Sequence, residues 1–112
     1  MKRDAKAYLH DIQEAGKHIL AFTQGMSMED YCRSELVKAA VERKFAVIGE
    51  VLVRLREDYP GLLERISDAE KIIGFRNVLV HGYDIIEDAT VWSAIESNLR
   101  ILLQEVESLQ NG

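Results

Sequence analysis

Apolar side chains recur at intervals of three and four residues in four separate segments of this chain. This spacing places them along one face of a helix, whereas a half-buried strand would require apolar and polar residues to alternate. No segment of four or more residues alternates convincingly in that way. The periodicity therefore predicts an all-α protein that contains no sheet.

Capping and turn residues mark where the predicted helices begin and end. Ser27 precedes Asp30 by three positions in a weak capping box, and Ser67–Glu70 contains a stronger one. Gly25 and Gly82 lie just beyond apolar stripes, where glycine commonly ends a helix. The four predicted helices cover about residues 4–23, 27–58, 67–81 and 88–109.

The length of the chain and its short predicted loops indicate a single domain over residues 1–112. Four helices joined by short loops favour an antiparallel up-and-down four-helix bundle. Each helix should turn its apolar stripe towards a shared core. The residues predicted to form that core are Tyr8, Leu9, Ile12, Ala15, Ile19, Phe22, Val37, Val41, Phe45, Ile48, Leu52, Leu55, Ile72, Phe75, Val78, Leu79, Val80, Trp92, Ile95, Leu99, Leu102, Val106 and Leu109.

The formal net charge of −5 gives the chain no overall basic field that would attract nucleic acid. Any contact with RNA must therefore use a local basic patch, or one assembled between subunits. Cys32 is the only cysteine, which excludes an intrachain disulfide. The charged start Met1–Lys6 lacks the apolar core of a signal peptide, and no apolar run approaches a membrane span. A cytoplasmic protein without a membrane partner is the resulting expectation.

The segment Arg76–Tyr83 concentrates an arginine, a histidine and a tyrosine within eight residues. A histidine exchanges protons near neutral pH, and the guanidinium of arginine presents a fixed fork of donors that fits phosphate oxygens. Tyrosine adds a ring for a base and a hydroxyl for chemistry, so the three residue types suit work on a phosphodiester. Arg76 and His81 are therefore the candidate catalytic residues, with Asn77 and Tyr83 in supporting roles.

Arg76 and His81 are five positions apart, which corresponds to about 140° of rotation on an ideal helix. One continuous helix would not place both on the same stripe, unless its end unwinds. Two copies of this helix meeting across a two-fold axis would bring them together, and a homodimer would then share the site. In the structural alternative, Arg76 caps a neighbouring helix end, His81 is a C-terminal helix cation and Tyr83 lies in the core.

Two other features are candidate parts of a site. Glu50 is a carboxylate in a largely apolar stretch of the second predicted helix. It could hydrogen-bond Arg76 or Asn77, although a surface position fits equally well. On the first predicted helix, His10, Glu14 and His18 follow one another at i+4 spacing and form a stripe. Solvated pairs at this spacing are much commoner than metal sites, so neither a metal nor a cofactor is predicted.

The motif Arg76-x4-His81-Gly82-Tyr83 resembles the R-x4-H-x-Y signature of the HepT-like branch of the HEPN superfamily (higher eukaryotes and prokaryotes nucleotide-binding). The segment 40–50, which ends in Ile-Gly-Glu, is similar to the second-helix block of that branch, and 75–84 is similar to its third-helix block. Val91-Trp92 opens the last helix in the family manner, so the resemblance extends over nearly the whole chain. One departure is Val51, where family members usually carry alanine.

The resemblance implies an HEPN-like homodimer that is a metal-independent ribonuclease and the toxin of a type VII-like toxin–antitoxin pair. It implies tRNA or mRNA as substrate, with Arg76 and His81 as catalytic residues. It also implies an antitoxin that is a minimal nucleotidyltransferase and that silences the toxin by transferring AMP to Tyr83. The alternative is a non-catalytic helical subunit that binds a nucleotide or docks a nucleotidyltransferase.

Overall fold

The computed structural model describes residues 2–112, so Met1, the first residue of the predicted domain, lies outside the described residues. All regular structure in residues 2–112 is helical, with no strand, which confirms the predicted all-α class. The α-helices are α1 (Ala5–Phe22), α2 (Met28–Arg33), α3 (Glu35–Asp58), α4 (Pro60–Leu63), α5 (Ala69–His81), α6 (Asp88–Ser93) and α7 (Leu99–Asn111). A short 3₁₀ turn (Tyr83–Ile85) follows α5, and a π-helical segment (Ala94–Asn98) joins α6 to α7.

The prediction of one helix from the Ser27 cap to about Asp58 is wrong, because the chain breaks between α2 and α3. Ser34 adopts an extended backbone conformation (φ −104°, ψ 98°), and its Oγ accepts a hydrogen bond from the Val37 N–H at 3.1 Å. This serine is therefore the N-cap of α3. No glycine or proline lies between α2 and α3, so the usual sequence signal of a helix end is missing at this break.

The two predicted capping boxes have different outcomes. The box of Ser27 and Asp30 is confirmed, because each side chain accepts a hydrogen bond from the other residue's backbone N–H, at 3.1 and 3.0 Å. The box of Ser67 and Glu70 is wrong. The Oγ of Ser67 donates to Glu105 on α7 at 2.5 Å, and its N–H donates to the same carboxylate at 3.1 Å. Because Glu105 takes both donors, Ser67 ties the loop to α7 instead of capping α5.

The predicted helix ends at the two glycines are confirmed. Gly25 follows α1 with a φ of +77°, a left-handed conformation that glycine adopts without steric cost. Gly82 follows α5, and its N–H donates to the Val78 carbonyl at 2.8 Å. The candidate catalytic histidine is therefore the last residue of a regular helix.

Helix α3 packs against both α1 and α5, and α7 packs against α1. The side chains between these helices form one apolar core. The arrangement as an up-and-down four-helix bundle and its dimerisation stay predictions. The large side chains with the least exposure include Leu9, Ile12, Ile19, Tyr31, Val41, Phe45, Ile48, Leu52, Leu55, Val91, Leu99, Leu102 and Val106.

Three residues predicted to lie in the core are exposed. Val78 and Val80 are 37% and 47% accessible, and Phe22 is 40% accessible. The main helical neighbour of α5 is α3, and Val78 lies about 200° around α5 from Arg76, which contacts α3. Val80 shares the stripe of Arg76 and lies at the open surface between α3 and α5. Phe22 is the last residue of α1 and stacks on the ring of His18 instead of entering the core. None of the described helices is long and apolar enough to cross a membrane.

Candidate active site

Gly49 lets α3 and α5 approach each other closely at the candidate site. A Cβ atom added to Gly49 would overlap the Cβ of Arg76 and lie 2.5 Å from its Cγ. Only glycine therefore allows the aliphatic stem of Arg76 to lie against the α3 backbone here. The three residues of the Ile48-Gly49-Glu50 block have different roles. Ile48 is buried in the core, Gly49 admits Arg76, and Glu50 reaches its guanidinium.

The guanidinium of Arg76 is held by side chains from both helices. Its Nη2 donates to Glu50 Oε2 at 2.5 Å, and its Nη1 donates to Asn77 Oδ1 at 2.9 Å. The other oxygen of Glu50 accepts a hydrogen bond from Arg54 Nε at 3.3 Å. Glu50 thus contacts Arg76 while its side chain stays 41% exposed, so both sequence-based alternatives for this residue hold in part.

The hydrogen bonds to Glu50 and Asn77 leave donors of Arg76 available. Arginine has five N–H donors, and these two bonds use one on each terminal nitrogen. The Nε of Arg76 is buried and has no acceptor among residues 2–112. A buried donor without a partner is uncommon and points to a role beyond packing. The site therefore holds a fixed cation with hydrogen-bonding capacity to spare.

Arg76 forms part of the wall of a surface groove between α3 and α5, here called the α3–α5 groove. Its volume is about 430 Å³. It offers both apolar side chains and guanidinium groups to a molecule that enters. The residues that line it are Arg43, Ala46, Val47, Glu50, Val51, Arg76 and Val80.

His81 is exposed at the C-terminal end of α5. The helix is continuous up to this residue, so no unwinding brings His81 onto the stripe of Arg76. Asn77 hydrogen-bonds Arg76, and no hydrogen bond joins Asn77 to His81 in the described chain. A single subunit therefore brings Arg76, Asn77 and Glu50 together and leaves His81 apart from them.

Tyr83 is 81% exposed in the 3₁₀ turn that follows α5. The alternative in which Tyr83 lies in the core is therefore wrong, because the turn carries it away from α3. It is also the most accessible of the four tyrosines. Tyr8 and Tyr31 are buried, and the half-buried Tyr59 donates its hydroxyl to the Arg3 carbonyl at 2.8 Å.

The stripe on α1 is a set of surface side chains. His10 Nε2 lies 3.8 Å from Glu14 Oε1, and both side chains are largely exposed. His18 instead stacks on Phe22, with ring centroids 6.1 Å apart. Within residues 2–112, no group of three or more histidine, cysteine, aspartate or glutamate side chains is arranged to hold a metal ion.

A second cavity, of about 450 Å³, lies on the other side of α5, against α6 and the π-helical segment. Phe45 and Phe75 form its apolar floor, with an edge-to-face contact at 5.2 Å. None of the predicted site residues lines it. This cavity is therefore separate from the candidate site.

Two arginines that contribute to the site were not predicted from the sequence. Arg54 follows Glu50 by four positions, a spacing that favours ion pairs on one helix face. Arg43 precedes Glu50 by seven positions, or about two helical turns, and also lies on that face. These spacings are visible in the sequence, but the sequence does not show that α5 packs beside this face of α3 and forms a groove there.

Residues 12–109 match the family model described as "Ribonuclease HepT-like". The matched span contains the whole candidate site, from Arg43 on α3 to Tyr83 after α5. The chain belongs to the HepT-like ribonuclease family. This membership confirms the resemblance found in the sequence.

Three similar proteins are of nearly the same length as this HepT-like chain. A protein of Thermococcus cleftensis named "Probable ribonuclease HepT" is 30% identical over 110 residues, covering 98% of this chain and 99% of that one. Two proteins of Methanocaldococcus jannaschii that carry the word RNase in their names are 32% and 28% identical, covering 96% and 95% of this chain and 88% and 96% of theirs. No solved structure matches the chain.

Proposed function

We propose that this HepT-like protein is a metal-independent ribonuclease, the toxin of a toxin–antitoxin pair, whose active site is completed by a second subunit. The observation that carries the proposal is the fixed Arg76, held by Glu50 beside an open groove, on the same helix as the exposed His81. Arg76 and His81 are the catalytic residues. The substrate is RNA, as tRNA or mRNA.

A homodimer accounts for the separation of the two catalytic residues. Because α5 is regular up to His81, Arg76 and His81 of one chain point about 140° apart. Two α5 helices that meet across a two-fold axis place the histidine of one subunit next to the arginine of the other. The exposure of Val78 supports this arrangement, since a partner helix would cover it.

The chemistry uses proton transfer and charge stabilisation. The 2′-oxygen of RNA attacks the adjacent phosphorus as His81 accepts its proton, and the bond from phosphorus to the 5′-oxygen breaks. The protonated His81 then returns the proton to that leaving oxygen. Arg76 stabilises the negative charge on the non-bridging oxygens of the transition state. The products are a 2′,3′-cyclic phosphate and a 5′-hydroxyl.

Glu50 and Asn77 act by positioning Arg76, and Tyr83 has two roles. Its exposed ring is available to stack on a base of the substrate. Its hydroxyl is the acceptor of AMP from a minimal nucleotidyltransferase antitoxin: the phenolic oxygen bonds to the α-phosphorus of ATP, and pyrophosphate leaves. The added phosphate then competes for the donors of Arg76, and the nucleoside fills space that RNA needs. The pair acts in the cytoplasm.

Cleavage by the purified protein tests the proposed reaction. An oligoribonucleotide should be cut in the presence of EDTA and yield 2′,3′-cyclic phosphate ends. A matched oligonucleotide with a single 2′-deoxy residue at the mapped position should resist cutting there, because its nucleophile is missing. Cleavage that stops in EDTA, or that proceeds past the 2′-deoxy residue, would contradict the mechanism. A complete lack of cleavage would favour the non-catalytic alternative.

Intact-mass analysis tests the modification. Incubation with the cognate nucleotidyltransferase and ATP should add AMP to the wild-type protein and to Tyr59→Phe, but not to Tyr83→Phe. Tyr59→Phe is the matched control because its hydroxyl is occupied by the Arg3 carbonyl. Adducts that persist on Tyr83→Phe would place the modification elsewhere and remove this form of regulation.

A further inference from the structure

Arg43 lies in the α3–α5 groove together with Arg76, outside the family motif. The two residues come from different helices, since Arg43 belongs to α3 and Arg76 to α5. Arg43 and Glu50 are seven positions apart, which corresponds to about 10 Å along the helix axis on nearly the same face. Because Glu50 holds Arg76, the groove presents guanidinium groups at two different points along its length.

Arg43 is free of ion pairs, in contrast to most arginines of this chain. Of the eight arginines in the sequence, five bond a carboxylate: Arg3, Arg33, Arg54, Arg56 and Arg76. Among residues 2–112, Arg43, Arg65 and Arg100 have no carboxylate within salt-bridge distance. Of these three, only Arg43 lines the groove. It is therefore the cation whose charge is available to a ligand there.

The charge of the groove differs in sign from that of the whole chain. The formal net charge of the protein is −5, but two arginines, Arg43 and Arg76, line the groove with a single carboxylate, that of Glu50. Arg54 donates a further hydrogen bond to Glu50. The groove therefore carries net positive charge on an acidic protein. This is the kind of local patch that an acidic chain needs to bind a polyanion.

The groove wall between the arginines is apolar. Ala46 and Val47 on α3 and Val80 on α5 contribute to it, and Val80 is 47% exposed. Such a wall can contact the ribose and the base of a nucleotide without reading its sequence. A single strand of RNA matches both features, because charged phosphates alternate along it with less polar nucleoside groups.

We propose that the α3–α5 groove is an RNA-binding subsite in which Arg43 binds a phosphate adjacent to the scissile one. This inference rests on the proposed ribonuclease function and adds a residue to it. Arg76 faces the reacting phosphate, and the apolar wall contacts the nucleotide between the two phosphates. Arg43 does not take part in the chemical step, so its contribution is equal in the ground state and the transition state.

Replacing Arg43 with glutamine measures this contribution. Arg43→Gln should raise the KM for an oligoribonucleotide about tenfold and leave kcat unchanged, because a charge-assisted hydrogen bond to phosphate is lost. The slope of log affinity against log salt should become smaller by about 0.7, the value expected for one phosphate contact on a single strand. The matched control is Arg65→Gln, which removes an exposed, unpaired arginine away from the groove and should change neither quantity.

A binding experiment separates this inference from the proposed function. Fluorescence anisotropy with a labelled oligoribonucleotide and the His81→Ala protein requires no cleavage. If Arg43→Gln weakens binding in this background but the wild type never cleaves RNA, the subsite stands and the ribonuclease proposal fails. Equal affinities for the Arg43→Gln and Arg65→Gln proteins would overturn the subsite. It would also be overturned if Arg43→Gln dissociated a dimer in sedimentation, since a second copy of the chain would then occupy the groove.

Discussion

Two helix pairs in this protein, α1–α7 and α3–α5, each place a glycine opposite a side chain of the neighbouring helix. In the first pair, a Cβ on Gly16 would lie 2.5 Å from Cδ2 of Leu103. In the second pair, a Cβ on Gly49 would overlap the Cβ of Arg76. The close approach is similar in the two pairs, but the opposing side chain differs in chemistry and in its freedom to move.

The two contacts differ in which atoms of the opposing side chain lie against the glycine. Leu103 meets Gly16 with the end of a flexible apolar side chain, which can rotate to another conformation. Arg76 meets Gly49 with its first carbon atoms, which cannot move unless the α5 backbone moves. The contact on α1–α7 therefore serves packing alone, whereas the contact on α3–α5 sets the position of a charged group. Substitutions on both helix pairs test this contrast, beginning with the largest expected effect on cleavage.

Removing either catalytic side chain should have the largest effect. Arg76→Ala should lower the rate of RNA cleavage about 10²- to 10³-fold, as for the loss of one donor to a developing oxyanion. His81→Ala should lower it about 10²- to 10⁴-fold, as for the loss of a general acid or base. Rates on a labelled oligoribonucleotide and growth after induction measure both effects.

The control for Arg76→Ala uses another ion pair of α5. Arg56 donates to Glu70 at 2.8 Å, which links the same helices away from the groove. Arg56→Ala should leave cleavage unchanged and alter the free energy of unfolding by less than about 1 kcal/mol. If Arg56→Ala and Arg76→Ala lost cleavage equally, the loss of any ion pair between α3 and α5 would be enough to inactivate the protein.

Gly49→Ala should have the next largest effect. The new methyl group must push α5 away from α3, and such overpacking costs about 1–3 kcal/mol, against about 1 kcal/mol gained in helix propensity. Displacing Arg76 by a fraction of an ångström should lower cleavage about tenfold or more. Urea denaturation and cleavage rates measure the two effects. Unchanged cleavage in a folded Gly49→Ala protein would contradict the role given to this contact.

Glu50→Gln should have a smaller effect. Glutamine keeps an acceptor for Arg76 but loses the charge that Arg76 and Arg54 share. We expect kcat to fall about tenfold, equivalent to about 1.4 kcal/mol, with little change in KM or in the unfolding midpoint. Initial rates over a wide range of substrate concentration measure the split between kcat and KM. If Glu50→Gln changed the free energy of unfolding but not kcat, Glu50 would have a structural role and no role in positioning Arg76 for cleavage.

Gly16→Ala should have the smallest effect on cleavage and is the matched control for Gly49→Ala. Leu103 can rotate away from the new methyl group, and alanine favours the helix by about 1 kcal/mol. The free energy of unfolding should therefore change by no more than about 1 kcal/mol, and cleavage should stay at the wild-type rate. A loss of cleavage as large as that of Gly49→Ala would remove the contrast between the two helix pairs.

The sequence predicted the features that depend on neighbouring residues. Helical periodicity identified the long helices, and Gly25 and Gly82 ended two of them as expected, because caps and stops act within one turn. The break at Ser34 was missed, since no glycine or proline marks it. The capping role assigned to Ser67 failed because Glu105, distant in sequence, competes for its donors.

The candidate site depended more on tertiary contacts. Arg76 and His81 were recognisable from residue chemistry and from the family motif. The contact of Arg76 with Gly49 and the shared charge of Glu50 were not predictable, because periodicity does not reveal which helix lies opposite. The same limit explains why Val78 and Val80 were assigned to the core: an apolar stripe does not specify how much of it another element covers.

The composite active site is tested most directly by cleavage with isolated heterodimers, made by co-expressing two differently tagged chains. Arg76→Ala and His81→Ala chains are each inactive alone, but their heterodimer should cleave RNA at about half the wild-type rate, because one of its two sites is intact. A heterodimer of wild-type chain and a chain with both substitutions should be inactive, because both of its sites are broken. The opposite pair of results, an inactive first heterodimer and a half-active second one, would contradict the composite site and place Arg76 and His81 of one subunit in the same site.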